Sequence, residues 1–317
     1  MSIDTKEYTS AKDAIEFLSS LKTGNDNYIF RGQPNSNHKL TSSFAREYGQ
    51  SEVDTLQHDI LTLVNDYRVA LLRGGLLPFT NDNLLDWMEY GRHYGLPTPS
   101  VDFTYSPYIG LFFAFDTLRK SNVKDKKLKV AIYAIDARAL ASSIAIAKKA
   151  NTSTWWKSVL QKKPNILWNK KFKDKGVPGY SQSFLSPPLS RFQSTIQKDI
   201  LQIVPFPGCN VKRIIAQQGL LLYDTLHYLK DKVLEDLICA IKPGNEEDGP
   251  TCYKLILPAS CADEAWAMLE QMGITPTSMY LDPSSATREV MQKSFYNSSL
   301  NYLRDIKRYE AYDDFDP

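Results

Sequence analysis

The most informative segment for the fold is HYGLPTPSVDFTYSPYIGLFFA, residues 93–114. Residues 99–103 predict an extended segment that follows the turn at Gly95. Ser106 and Pro107 then predict a helix start, because serine caps helix N-termini and proline suits the first turn. The helix expected over residues 107–119 is apolar nearly all round, so we expect it to be deeply buried.

Hydrophobic periodicity on both sides of this stretch predicts a mixture of helices and strands. The predicted helices cover residues 10–22, 51–73, 82–94, 260–271 and 282 to about 309. Ser10 is the expected cap of the first helix, and Ser260 with Asp263 forms a capping-box-like pair at the start of the fourth. The predicted strands cover residues 27–32, 129–136, 213–224 with a kink at Gly219, and 253–257. Because these elements lack a strict βαβ alternation, they favour the α+β class.

Composition indicates a folded protein without a metal site. The chain has 317 residues, of which 43% are hydrophobic and 23% charged, so it can bury a core. No run approaches the ~18 apolar residues of a membrane span, and the polar start is no secretory signal. We therefore expect a cytoplasmic protein with no membrane partner. The four cysteines and four histidines lack metal-ligand spacing, and no pattern defines an oligomeric state.

Common nucleotide-binding and hydrolase motifs are missing from the sequence. It contains no P-loop, no G-x-G-x-x-G and no G-x-S-x-G. Three other segments stand out instead: FRGQ at residues 30–33, the block at 93–114, and QQGL at 217–220. Together they resemble the FRG-domain family, in which the central block usually reads HYGLPTRLLDWT. The departures from that block are Pro99, Ser100, Val101 and Phe103.

This resemblance implies a layout similar to the ADP-ribosyltransferase fold, a core of short strands with flanking helices. It implies an FRG core over residues 8–258, with a basic inserted loop or subdomain at about 148–188, and a C-terminal helical extension over 259–317 packed on the core. It also implies that NAD is a substrate and that its ADP-ribose is transferred to a macromolecule, such as a nucleic acid. A protein with this activity would act as a toxin or as an effector of phage defence.

Four candidate catalytic residues follow from matching these motifs. Arg31 offers a planar fork that grips phosphate, or alternatively pairs with a nearby acid. His93 can hydrogen-bond a ribose, or alternatively ends a helix where the dipole favours it. Asp102 can stabilise an oxocarbenium-like centre, or alternatively orients Arg31 or a turn. The fourth candidate, Gln217, lies where the transferase fold has a glutamate.

A second set of residues is predicted to contact the nucleotide. Tyr94 can stack on nicotinamide, and Ser106 either caps the helix or lets its N-terminus bind an anion. The full predicted set is Arg31, Gly32, Gln33, His93, Tyr94, Thr104, Ser106 and Gln218. Gly32 is included because a glycine lets a ligand approach the backbone closely.

Two other functions stay open. Gln217 cannot act as a general base, so a non-catalytic module that binds nucleotide or nucleic acid is the main alternative. A hydrolase or nuclease that uses His93 and Asp102 is a further alternative.

A basic segment predicts a separate contact with nucleic acid. Residues 119–175 contain 16 lysines and arginines but three acidic residues, against a net charge of +2 for the whole chain. Lysines bind phosphates and aromatic rings stack on unpaired bases, although such runs are often only solvated surface. The residues predicted for this contact are Trp155, Trp156, Lys162, Lys163, Lys170 and Lys171.

Overall fold

A seven-stranded mixed sheet carries the fold in the computed structural model, which describes residues 3–21, 28–48, 53–80, 84–118, 120–137, 201–204, 212–224 and 252–293. The strands are β1 (Asp4–Glu7), β2 (Tyr28–Gln33), β3 (Ser100–Thr104), β4 (Lys129–Asp136), β5 (Leu201–Val204), β6 (Gly219–Asp224) and β7 (Cys252–Pro258). The sheet order is β1-β7-β4-β2-β3-β6-β5, and every neighbouring pair is antiparallel except β1 with β7.

Helices flank this sheet. They are α1 (Ala11–Ser20), α2 (Ser43–Tyr48), α3 (Val53–Arg73), α4 (Leu84–His93), α5 (Pro107–Phe115), α6 (Lys120–Val123), α7 (Lys212–Ala216), α8 (Ala262–Gln271), α9 (Pro276–Tyr280) and α10 (Pro283–Lys293). A 3-10 turn, Ala259–Cys261, precedes α8. The mixture of helices with a mixed sheet confirms the α+β class.

Helix α5 packs directly on strand β2 and forms the centre of the core. Phe112 of this helix is fully buried and meets Trp266 of α8 in an edge-to-face contact with 5.6 Å between ring centroids. The close approach is possible because β2 has a glycine there: a Cβ on Gly32 would lie 2.2 Å from the carbonyl oxygen of Gly110. Gly32 is therefore required because the helix packs closely on the strand. The motif had instead suggested that this glycine lets a ligand approach the backbone.

Most helices and strands near residues 93–114 match their predictions. Strand β4 has the predicted bounds, and α1 begins after Ser10, whose side chain accepts from the Asp13 amide. Ser106 likewise caps α5 by accepting from the amide of Ile109. However, α5 ends at Phe115, several residues before the predicted position 119.

Two local predictions are wrong. Residues 213–216 were expected in a strand but belong to helix α7, which places Ile214 in the core and leaves Ile215 76% exposed. A short apolar run without period cannot distinguish the two states. The capping box at Ser260 is also absent, since α8 begins after Cys261 without a side-chain cap. Glu264 instead accepts hydrogen bonds from Ser10, Ala11 and Lys12 at the start of α1.

Strand β1 was not predicted, because its four residues DTKE are polar and the strand lies at the sheet edge. The predicted insertion at 148–188 and the end of the last predicted helix lie outside the described residues. Within the described part of the chain, no helix combines the length and apolar character needed to cross a membrane.

Candidate active site

Residues that are far apart in the sequence line one cavity of about 280 Å³. Strands β2, β3 and β6 supply one side, and the ends of α4, α5 and α9 together with helix α7 supply the rest. Among the predicted residues, Arg31, Gly32, His93, Asp102 and Gln217 all line it. The proposed catalytic set, which spans almost 190 positions, therefore meets at one place. Other charged or aromatic lining residues are Arg92, Arg213, Asp116, Phe30, Phe103, Phe113 and Tyr280.

The carboxylate of Asp102 is the negative charge at the centre of this wall. The Nε of Arg92 donates to both carboxylate oxygens at 3.1 Å, and its Nη2 donates to Oδ2. Desolvation acts to raise the pKa of Asp102, but the charge and hydrogen bonds of Arg92, with the charge of Arg31, outweigh it. The pKa therefore lies well below its usual range. The side chain keeps 41% of its surface exposed, so an ionised carboxylate faces the cavity.

Arg31 reaches the same carboxylate from strand β2. Its Nη1 donates to the backbone oxygen of Asp102 at 2.6 Å and lies 3.8 Å from Oδ2. Its Nε is buried and has no hydrogen-bond partner among the described residues. Burial lowers the pKa of Arg31 to about 10, which leaves the guanidinium charged at neutral pH. Arg31 thus pairs with Asp102, which is one of the two roles expected for it. Its Nε is still available as a donor at the cavity wall.

His93 is the last residue of α4 and is held neutral. Burial first, and the charges of Arg213 and Arg92 second, lower its pKa to about 4, although Asp102 acts in the opposite direction. Its Nε2 is buried without a partner among the described residues. A buried polar atom of this kind is normally satisfied by a partner, a ligand or water. The imidazole is therefore available to a ligand as a neutral group.

Gln217 lies at the turn between α7 and β6. Its Nε2 donates to the carbonyl oxygen of Met279 at 3.0 Å, and its own backbone oxygen accepts from the Thr104 hydroxyl at 2.8 Å. Thr104 itself does not line the cavity in the described part of the chain. The next residue, Gln218, is exposed and has a left-handed φ of 45°, which turns the chain into β6.

The remaining predicted contact residues lie away from the cavity wall. Tyr94 is 56% exposed and stacks against the guanidinium of Arg213, with its ring centroid 5.0 Å from Cζ. Gln33 is buried beyond the wall, and its Nε2 lies 3.5 Å from the Lys39 carbonyl oxygen. Ser106 serves as the cap of α5, as described above.

Sequence reasoning missed Arg92, Asp116 and Tyr280 as cavity residues. Arg92 directly precedes the HYG motif, which is the signal that was available for it. Asp116 is only 3% exposed and accepts a 2.6 Å hydrogen bond from the Tyr280 hydroxyl. Burial raises the pKa of both groups. No local pattern connects them, since they lie 164 positions apart.

Metal binding has no prepared site in the described part of the chain, where no group of three or more His, Cys, Asp or Glu side chains is placed to hold an ion. The residues predicted for nucleic-acid contact, from Trp155 to Lys171, lie outside the described residues.

Comparison with known proteins gives a family match over the region that contains most of the residues lining the cavity. No curated protein and no solved structure matched the chain. A family model described as the FRG domain matches residues 26–123. That range contains Arg31, Arg92, His93 and Asp102, whereas Arg213, Gln217 and Tyr280 follow it. Residues 26–123 of this chain therefore match the FRG domain.

Proposed function

We propose that the chain is an ADP-ribosyltransferase-like enzyme that binds NAD, or a related nucleotide, in the cavity beside Arg31. The observation that carries this proposal is the ionised carboxylate of Asp102, held by two arginines and exposed to a cavity with a neutral histidine on the same wall. A fixed negative charge of this kind stabilises the positive charge that develops on a ribose when its glycosidic bond breaks.

The charge balance of the site favours an anionic ligand. Three arginines and two aspartates line the cavity, which leaves one net positive charge. The buried donor on Nε of Arg31 adds a position for a phosphate oxygen or a ribose hydroxyl. The volume lies near the lower end of the ~300–1,000 Å³ typical of ligand sites. It therefore suits one nucleoside half of a dinucleotide, with the other half extending outward.

In the proposed reaction, the bond between ribose C1′ and the nicotinamide nitrogen breaks, and its electron pair returns to the nicotinamide ring. Asp102 stabilises the oxocarbenium-like sugar, and a nucleophile of the macromolecular acceptor then bonds to C1′. The proton that the nucleophile loses passes to solvent, and His93, which is neutral at pH 7, is the wall residue assigned to hydrogen-bond the ribose. The biological role proposed with this chemistry is that of a toxin or a defence effector, including phage defence.

The test is release of nicotinamide from NAD in the presence of protein or polynucleotide acceptors. We expect Asp102→Asn to reduce release by about 100-fold or more, since it removes a charge used in the transition state. The matched control is Asp263→Asn, which neutralises an exposed aspartate of α8. Equal release from wild type and D102N, together with no NAD-induced rise in melting temperature, contradicts the enzyme proposal.

A second candidate function is a binding module without turnover. Gln217 favours it, because this amide stands where the transferase fold has a glutamate and its Nε2 is engaged by the carbonyl of Met279. This candidate predicts a higher melting temperature with NAD but no modified acceptor by mass spectrometry. If Gln217→Glu then produces nicotinamide release from a protein that had none, the missing carboxylate is the reason for inactivity.

We also propose that the basic segment binds a polynucleotide. The support is compositional: the excess of positive charge over residues 119–175 coincides with Trp155 and Trp156. Such a segment would hold a nucleic-acid acceptor by its phosphates and stack on unpaired bases.

A further inference from the structure

One arginine outside the matched domain joins three walls of the cavity. Arg213 of α7 donates from Nε to the carbonyl oxygen of Tyr280 at 2.5 Å. Its Nη1 donates to the carbonyl oxygen of His93, and its Nη2 pairs with the carboxylate of Asp282. A single side chain of α7 therefore contacts the end of α4, the end of α9 and the link between α9 and α10.

The position of this side chain is strongly constrained. Its Cζ lies 5.0 Å from the ring centroid of Tyr94 and 5.6 Å from that of Tyr280. The side chain keeps only 15% of its surface exposed. Hydrogen bonds to an ionised group are stronger than neutral ones, and the low dielectric of a partly buried setting strengthens them further.

Asp282, in the link between α9 and α10, is the acidic partner of Arg213. Its Oδ1 accepts from the amide of Ser285 at 2.9 Å, so Asp282 also caps helix α10. Substitution by asparagine preserves a capping side chain and removes the charge that pairs with Arg213. The cap and the ion pair can therefore be separated by one conservative change.

We infer that Arg213, anchored by Asp282, is a positioning residue that sets where His93 lies relative to Gln217 across the cavity. The functional unit then extends to residue 282, well beyond the FRG domain at 26–123. The inference rests on the proposed function only in taking this cavity as the ligand site. Arg213 acts through the backbone of His93, so it is a positioning residue rather than a catalytic one.

The experiment measures amide hydrogen exchange in the full chain without any nucleotide. The variants are Arg213→Gln, Arg213→Lys and Asp282→Asn. The control is Lys129→Gln, which removes an ion pair with Glu7 at the edge of the sheet. The reporting peptide covers residues 91–98, whose turn contains the hydrogen bond from the Leu96 amide to the Gly91 carbonyl.

We expect R213Q to accelerate exchange in residues 91–98 on the order of tenfold, with a smaller increase in D282N and partial protection in R213K. Exchange in α5 stays unchanged, as it does throughout K129Q. Uniform acceleration of all peptides, or unchanged exchange of residues 91–98 in folded R213Q, overturns the inference. If R213Q does not fold, the same comparison is made with D282N, which retains the arginine.

The nucleotide readout separates this inference from the proposed function. If NAD stabilises wild type, we expect R213Q and D282N to weaken its binding while R213K recovers part of it. If NAD does not stabilise wild type at all, the proposed function fails, and the exchange result still decides the positioning role.

Discussion

Replacing Gly32 by alanine tests the close approach on which the cavity depends. An added Cβ would lie 2.2 Å from the Gly110 oxygen, 2.3 Å from the Ala114 nitrogen and 2.7 Å from the Phe113 carbonyl carbon. All three are backbone atoms of α5, so no side chain can rotate away. Reaching the 3.4 Å of an ordinary contact requires the helix to move by about 1 Å from the strand.

The expected cost follows from two opposing effects. Overpacking in a well-packed core costs about 1–3 kcal/mol, and the rigid backbone contacts favour the upper end. Loss of glycine freedom in the unfolded chain offsets about 0.4–1 kcal/mol of this. We therefore expect Gly32→Ala to lower the free energy of unfolding by at least about 2 kcal/mol.

Urea unfolding measures this change, with Gly219→Ala as the matched control. A Cβ on Gly219 of the neighbouring part of the sheet meets its nearest atoms at 3.4 Å, so we expect a change within about 1 kcal/mol. A loss of less than about 1 kcal/mol in G32A, or an equal loss in both variants, would refute the packing argument.

Three further predictions concern charge. The pKa of His93 is about 4 in the fold against its ordinary 6.5, so the unfolded chain binds a proton more readily than the folded chain. The free energy of unfolding should therefore fall by roughly 3 kcal/mol as the pH drops from 6.5 to about 4. Urea titrations at several pH values measure this dependence, which His93→Gln should remove. Arg92→Gln should destabilise the fold by about 1–3 kcal/mol and raise the pKa of Asp102, with Arg92→Lys intermediate; an unchanged unfolding midpoint in R92Q would contradict the role given to the ion pair. Changing Lys162, Lys163, Lys170 and Lys171 together to glutamate should weaken polynucleotide binding and flatten its salt dependence, and an unaltered salt slope would remove the proposed contact.

The local elements near the FRG motifs were predictable because their signals are local. The Ser106-Pro107 pair specifies the start of α5, and the apolar run of β4 specifies a buried strand. The strand with Arg31 was likewise bounded to within a residue of its observed limits. By contrast, residues 213–216 have no period, and the helix that they form brings Arg213 into contact with partners from other parts of the chain.

The order of amino acids specifies which chemical groups this protein has available and which short segments carry them. It is the folded chain that brings Arg31, His93, Asp102 and Gln217 to one cavity and places Arg92 where it keeps Asp102 ionised. The physical reason is that capping and periodicity act over a few neighbouring residues. A pKa and a cavity wall instead depend on distances between groups that only the order of strands in the sheet brings together.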